Sequence, residues 1–501
     1  MAETTATTAR RINRPRLRTI DATSPERHAS WLELFFDLVF VLAVSRVAMI
    51  LAQNSDLHGF SKYAALFVPL WWCWVGYTFY ADRFESDEAS YRILMFAGML
   101  AVAALALTLG GAFTPAGDSR FVVCYSLVLL VLASLYLRAA VYIPLARRYA
   151  LQFTLGLAAA AAVLLASLFF SPTVRYVVWA AALAILLGIP FFNRKQTRTI
   201  PVDFSHIPER LGLFTIIVLG EAVLATATGA NNVEWNLTTV VAAALGFAMA
   251  ACIWWINFEF VEDSPIKSTS LVPRFTFLYG HFFVVSSIVV FGIGIEHAIK
   301  ESTEAHLHLS TLALLAGGIS ACLGAITVIR MIAGACRLFY VRGSTVAVAL
   351  SLIYIGQFVP PLAVLAVYFG LFATGVWLET RYAEDMPRNE VSPLSPCEHS
   401  EMATVFHPRS GDGCEECVKN NYKWVHLRVC LTCGHVGCCD SSIHKHATKH
   451  FHKEQHPLMA SLEDGEHWSW CYVDERFVPL AHRVGKMRGE NLELKEKKVG
   501  V

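Results

Sequence analysis

The sequence predicts an all-α polytopic membrane bundle of about twelve helices followed by a small α+β domain. Two observations carry that prediction. Apolar segments fill the chain as far as residue 380, and a Cys/His lattice then runs from Cys397 to Cys471. The composition agrees, with 55% hydrophobic and only 16% charged residues and a positive mean hydropathy, more apolar than soluble globular chains generally are. A net charge of +1 offers no basic face. The expected partner is therefore the lipid bilayer rather than nucleic acid.

Residues 1–25 are rich in Thr, Ala and Arg and are expected to be disordered. They precede an apolar run of about 20 residues, whereas a cleaved secretory signal carries an apolar core of about 7 to 15. Crossing the hydrocarbon as a helix takes roughly 20 apolar residues, because no open strand or loop satisfies its backbone in lipid. Such runs lie at residues 31–51, 60–80, 91–113, 121–142, 151–170 and 174–192. A second set follows at 208–229, 237–260, 275–298, 308–329 and 344–378. The last run is too long for one helix and contains Pro360 and Pro361, which interrupt helices. Read as two spans it brings the count to twelve; a single tilted or kinked helix would leave eleven.

The distribution of Lys and Arg tests this count. The N-terminal segment carries Arg10, Arg11, Arg14, Arg16, Arg18 and Arg27, which places it in the cytoplasm. Every second connection matches it: Arg83 and Arg92, Arg147 and Arg148, Arg194 to Arg198, Lys267 and Arg274, then Arg330, Arg337 and Arg342. The opposite loops hold little beyond Lys62, Arg120, Arg175 and Lys300. Twelve spans return the C-terminus to the cytoplasmic side of the cell membrane.

Charged residues inside spans are costly, so each faces a partner or a polar path. The first span places Glu33 and Asp37 four residues apart, on one helix face. The seventh carries Glu209 and Arg210 near its start and Glu221 near its middle. One reading is a path for a proton, ion or small solute. The other is pairing between helices, with Arg210, Arg46 or Arg138 as the cation. Both spans begin with an acidic helical start and each opens a set of six, the pattern of a parallel repeat with two six-helix halves.

The stretch WLELFFDLVFVLAVSRVA, together with HIPERLGLFTIIVLGEA at residues 206–222, resembles the two signatures of the bacterial low-temperature-requirement A (LtrA) family. The resemblance covers about residues 26–380. It implies a polytopic membrane protein and names no reaction; cold or stress adaptation is what the family name suggests.

After residue 396 come eight of the thirteen Cys and eleven of the eighteen His. Cys414 and Cys417, and Cys430 and Cys433, form CxxC knuckles; Cys438, His446, His450 and His456 follow, with Cys397, His399 and Cys471 outside them. A knuckle brings two thiolates to one metal, and a later Cys/His pair completes tetrahedral zinc. Disulfides are the alternative, but they persist in oxidising compartments and the charge pattern puts this tail in the cytosol.

The ligand order resembles the zinc finger of ubiquitin-specific proteases (the UBP finger) over residues 395–480, with a linker at 381–394 and a charged tail at 481–501. The resemblance implies interleaved zinc sites: Cys414, Cys417, Cys438 and His446 in one, and Cys430, Cys433, His450 and His456 in another. Cys397, His399 and Cys471 match part of a third, in which Asp474 stands where the family has a second Cys. The family's finger captures a free peptide C-terminus between aromatic residues and an Arg. Trp470 and Tyr472 match the aromatic positions, whereas Asp440 occupies the Arg position and would repel a carboxylate. No nucleophile motif or phosphate loop accompanies the finger, and zinc enclosed by four protein ligands is closed to substrate, so no enzymatic activity is expected.

Overall fold

The computed structural model describes residues 16–17, 29–85, 88–115, 117–192, 206–231, 233–260, 271–332, 339–385, 397–405, 407–411, 413–440, 442–463, 468–474 and 476–478. The chain divides into two compact units, Met1–Val376 and Trp377–Val501.

The first unit is helical. Its helices are α1 (Trp31–Gln53), α2 (Leu57–Arg83), α3 (Ala89–Thr108), α4 (Asp118–Tyr142), α5 (Arg147–Ala166) and α6 (Pro172–Phe192). They continue as α7 (His206–Asn231), α8 (Leu237–Phe260), α9 (Leu271–Lys300), α10 (Leu309–Ile332), α11 (Phe339–Ile355) and α12 (Pro361–Asp385). The proline pair separates two helices as expected: a short 3-10 turn at Gly356–Phe358 closes α11, and Pro361 opens α12, where its missing N–H costs nothing. Helix α11 begins five residues before the expected span, so Arg342 is a buried helical residue instead of a loop cation.

The first two helix starts have a local cause. Ser30 caps α1, accepting from the Glu33 N–H while the Glu33 carboxylate accepts from the Ser30 N–H, a capping box that satisfies two otherwise free donors. Asp56 caps α2 by accepting from Gly59 N–H at 2.7 Å. On α1, exposed Trp31, Phe35, Leu38, Leu42 and Met49 recur at spacings of three, four and seven residues, and this stripe suits lipid. Glu33, Asp37 and Val44 lie buried on the opposite side.

Eleven helical spans are long and apolar enough to cross a membrane among the described residues. Helix α2 falls outside that set because Trp71, Trp72, Trp74, Tyr77, Phe79 and Tyr80 replace aliphatic side chains. Its 27 residues nevertheless reach about 40 Å. Helix direction decides its role. In α1 and α7, Asp37 meets Arg210 near the first turns, and Ser45 meets Glu221 further along, so the two helices run parallel. Parallel helices in one membrane have an odd number of crossings between them, and only with α2 counted do α2 to α6 supply five. With the other eleven crossing, the parallel run makes α2 a twelfth span.

Packing repeats between the halves. Helix α1 packs on α2 and α3, α3 on α4 and α4 on α5; α7 packs on α8 and α9, α9 on α10 and α10 on α11. Helices α1 and α7 meet each other, so the first helix of each half forms the junction. Helix α2 bridges the two through aromatic contacts, with Tyr77 against Phe36 of α1 at 4.7 Å and Trp74 against Phe214 of α7 at 4.4 Å between ring centroids. Helices α9 and α10 approach closely at Gly318, where a Cβ would lie 2.8 Å from Phe291, the use of small residues typical of membrane helix pairs. At the N-terminus, where disorder is expected, Arg16–Leu17 (β1) instead pairs antiparallel with Phe84–Glu85 (β2), because the chain leaving α2 continues extended and offers its backbone. The rest of residues 1–25 lies outside the described residues.

The second unit carries a five-stranded antiparallel sheet in the order β4-β3-β5-β6-β7, formed by Leu427–Cys430 (β3), Val436–Cys438 (β4), Leu458–Ser461 (β5), Ser469–Cys471 (β6) and Arg476–Val478 (β7). Two short helices accompany it, α13 (Glu415–Lys419) and α14 (His446–Glu454). Its apolar core is small, drawn from Val429, Leu431, Leu458, Ala460 and Val478 beside Cys397 and Cys471. A core of that size needs a further source of stability.

Candidate metal centre and intramembrane charge cluster

The Cys/His lattice folds into three groups of four, each with one donor atom per residue and all four within 4.8 Å of one another. The first joins Cys414 and Cys417, at the start of α13, with Cys438 at the end of β4 and His446 at the start of α14. The His446 Nδ1 lies 3.2 Å from Cys414 Sγ, 3.2 Å from Cys417 Sγ and 3.4 Å from Cys438 Sγ. Cys417 and Cys438 sulfurs are 3.9 Å apart. Tetrahedral zinc with Zn–S near 2.3 Å holds two sulfurs roughly 3.8 Å apart, so the donor set fits the ion.

The second group crosses the first along the chain, taking Cys430 and Cys433 from the β3–β4 turn with His450 and His456. His450 Nε2 is 3.3 Å from Cys433 Sγ and 3.3 Å from His456 Nδ1. The turn closes through Gly434, whose φ of +73° suits glycine and whose Cβ, if present, would sit 2.9 Å from the His407 carbonyl oxygen. The third group brings Cys397, His399 and Cys471 to Asp474, with His399 Nδ1 3.2 Å from Asp474 Oδ2. The Asp474 carboxylate thus lies close enough to Cys397, His399 and Cys471 to share an ion with them.

Burial makes a bare thiolate costly in these places. Burial pushes the Cys417 thiol up to about 12 and those of Cys430 and Cys471 to about 11. Burial lowers His450 to about 4, leaving a neutral imidazole with a lone pair to donate. Thiols of this kind become thiolates when a divalent cation supplies the opposing charge. No described cysteine is in a disulfide. The spare donors Cys439, His444 and His452 stay outside all three groups; His444 stacks on Tyr422 at 4.0 Å and Cys439 contacts Ser442.

Sequence reasoning missed His435. It stacks on the His450 ring at 4.1 Å, while its Nε2 lies 2.8 Å from Glu416 Oε1. The signal was its position just beyond the Cys430 knuckle. Around the peptide-binding candidates, the Asp440 carboxylate accepts from Thr448 Oγ1, whose oxygen lies 3.2 Å from the Tyr472 hydroxyl. Tyr472 stacks on Phe451 at 4.8 Å. Trp470 sits in β6 opposite Phe477 and Met459. An aromatic and guanidinium pair does exist on this unit, but Arg428 and Trp468 form it, at 4.4 Å.

In the bundle, the acids of α1 meet cations of α7. Arg210 Nη2 is 2.6 Å from Asp37 Oδ1, and its Nη1 is 3.2 Å from Glu33 Oε1, with all three residues at most 1% exposed. Trp74 Nε1 donates to Asp37 at 2.8 Å. Glu209 is partly buried and accepts from the Ala29 N–H at 3.2 Å, tying the chain ahead of α1 to the first turn of α7. Glu221 is half-buried and faces the Ser45 hydroxyl of α1. Of the other cations considered as partners, Arg138 pairs with Glu88 at 2.6 Å, and Arg46 is exposed beside Met49. His206 and Asp82 belong to the same cluster and were not singled out in the sequence. They escaped notice because His206 lies just before the apolar run and Asp82 looked like a loop residue.

Fold and donor sets together define a multi-pass membrane protein with a Cys/His metal-binding domain. Residues 28–378 match the family described as bacterial low temperature requirement A protein (LtrA), and the chain belongs to that family. Residues 414–482 match the zinc finger found in ubiquitin hydrolases and other proteins. Among relatives, the uncharacterized protein RA0937 of Rhizobium meliloti is 28% identical over 313 residues, 58% of this chain and 74% of its own length. The finger region is 35% identical over 65 residues to the NAD-dependent deacetylase sir2A of Dictyostelium discoideum, covering 13% of this chain and 11% of that protein. It is also 34% identical over 77 residues to human BRCA1-associated protein, covering 15% of this chain and 11% of that one. The solution NMR structure of protein RPA1320 from Rhodopseudomonas palustris is 50% identical, covering 18% of this chain and 86% of its own, with a TM-score of 0.17.

Proposed function

We propose that this LtrA-family bundle presents a zinc-folded, protein-binding finger on the cytosolic face of the cell membrane. The observation that carries the reading is the third donor group: Asp474 completes a set that the motif leaves one Cys short, so three zinc ions fold a unit whose apolar core is small. The cytosolic side follows from twelve crossings and the Arg-rich start. The ligand is a polypeptide, and a free carboxylate end is disfavoured where Asp440 replaces the family's Arg. Four protein donors at each ion leave no open position, in keeping with binding and not catalysis. The test is metal analysis of the purified full-length protein, with three zinc ions per chain expected; one or none refutes the reading.

A second reading, movement of an ion or small solute through the bundle, is favoured by Glu221, an acid half-buried between α1 and α7 whose described partner is a hydroxyl. Flux of protons, metals or amino acids into proteoliposomes, lost in Glu221→Gln, would support it. Glu33 and Asp37 lend it less, because both are engaged by Arg210.

A further inference from the structure

We propose that His206 is a proton-binding site at the junction of the two helical halves, occupied as the imidazolium. The proposal is independent of the finger and of the transport reading. His206 is fully buried, at 0% exposure, in the first turn of α7. Its Nδ1 lies 3.2 Å from Asp82 Oδ1 on α2, and its Nε2 lies 3.7 Å from Glu33 Oε2 on α1. Each ring nitrogen therefore faces a carboxylate from a different helix. A neutral imidazole has one N–H and one lone pair, so either tautomer would turn a lone pair toward a carboxylate oxygen. Of the ring's forms, the imidazolium turns an N–H toward each, hydrogen-bonding Asp82 and standing at ion-pair distance from Glu33.

Charge counting leads to the same state. Among the described residues, the groups around His206 are Glu33 and Asp37 on α1, Asp82 and Arg83 on α2, Tyr91 and Arg92 at the start of α3, and Glu209 and Arg210 on α7. Glu209 and Arg92 reach the surface, and Tyr91 is neutral as a phenol. Arg83 stacks against the Phe79 and Tyr149 rings beside the cluster. The cluster gathers three buried carboxylates, Arg210 engages the two on α1, and a proton on His206 sets a positive charge against Asp82 as well. Buried carboxylates are costly without an opposing charge, which favours the imidazolium. The proton thereby joins α7 of the second half to α1 and α2 of the first. Losing it takes a positive charge from the half-to-half contact and leaves a lone pair aimed at a carboxylate.

The experiment uses the full-length chain with ring-15N histidine in lipid nanodiscs at about pH 8, where an exposed imidazole with its ordinary value near 6.5 is neutral. The His206 signals are assigned by their loss in His206→Gln, and in His206→Lys as a second variant that keeps the cation. Two protonated ring nitrogens are expected; the pattern of a neutral tautomer overturns the proposal. A thermal arm separates charge from packing. His206→Gln should lower the melting temperature, and adding Asp82→Asn should restore at least half of the loss by removing the acid that faces Nδ1. A double variant that melts as low as His206→Gln, or lower, overturns the charge assignment.

Discussion

Removing the guanidinium of Arg210 is the most direct test of what holds the halves together. Arg210→Gln deletes contacts of 2.6 Å to Asp37 and 3.2 Å to Glu33, both acids being fully buried. Taking one partner from a buried ion pair costs about 3–5 kcal/mol, because the remaining charge keeps its desolvation penalty. Two factors set the value here. The guanidinium serves two carboxylates, which raises the cost, whereas the Trp74 indole on Asp37 and the Ser30 donors on Glu33 survive and lower it. About 4 kcal/mol is the resulting expectation. At roughly 2 °C per kcal/mol for a large domain, the melting temperature should fall by on the order of 8 °C. Intrinsic fluorescence on heating reports it, since Trp71 and Trp74 are buried beside the cluster. Arg210→Lys should lose less, as it keeps the charge but not the two-pronged geometry. Adding Glu33→Gln and Asp37→Asn to Arg210→Gln should recover part of the loss. An Arg210→Gln protein that melts within about 1 °C of the parent would refute the idea that this pair carries the junction.

Further outcomes are expected elsewhere. Asp474→Ala should reduce bound zinc from three ions per chain to two, read by metal analysis, while the sets at His446 and His450 stay filled. Acid should destabilise the finger in a defined direction. The unfolded chain takes up a proton on His450 near its ordinary 6.5, whereas the folded chain resists until about 4, so stability is full above 6.5 and falls as pH drops between those values. Zinc retained after dialysis at stepwise lower pH should decline over the same interval. Cysteines introduced singly at exposed Gln53 and Ser90, which flank α2 at its two ends, should label with an impermeant maleimide from opposite sides of the membrane. Labelling from one side would remove α2 from the spans.

The parts of this protein that are local along the chain were legible before any fold was known. The spans declare themselves because about 20 apolar residues in a row have few other uses, and the proline pair splits the last run for a steric reason confined to that turn. The CxxC knuckles are likewise local chelates of four residues each. Their distribution among three interleaved sets was expected from family likeness, and the fold brings each set together, Asp474 included. Helical spacing put Glu33 and Asp37 on one face but left three candidate cations, since periodicity says which side is polar and not which helix meets it. Tertiary structure chose Arg210 and gave Arg138 to Glu88. It also drew in His206 and Asp82. Helix α2 shows the same division: its run at 60–80 was legible in the sequence, and the parallel run of α1 and α7 adds the geometric reason to count it. Sequence alone thus determined the class of protein and the donor chemistry of its finger. Only the tertiary structure decided which buried charges meet, because that depends on helices more than a hundred residues apart being packed side by side.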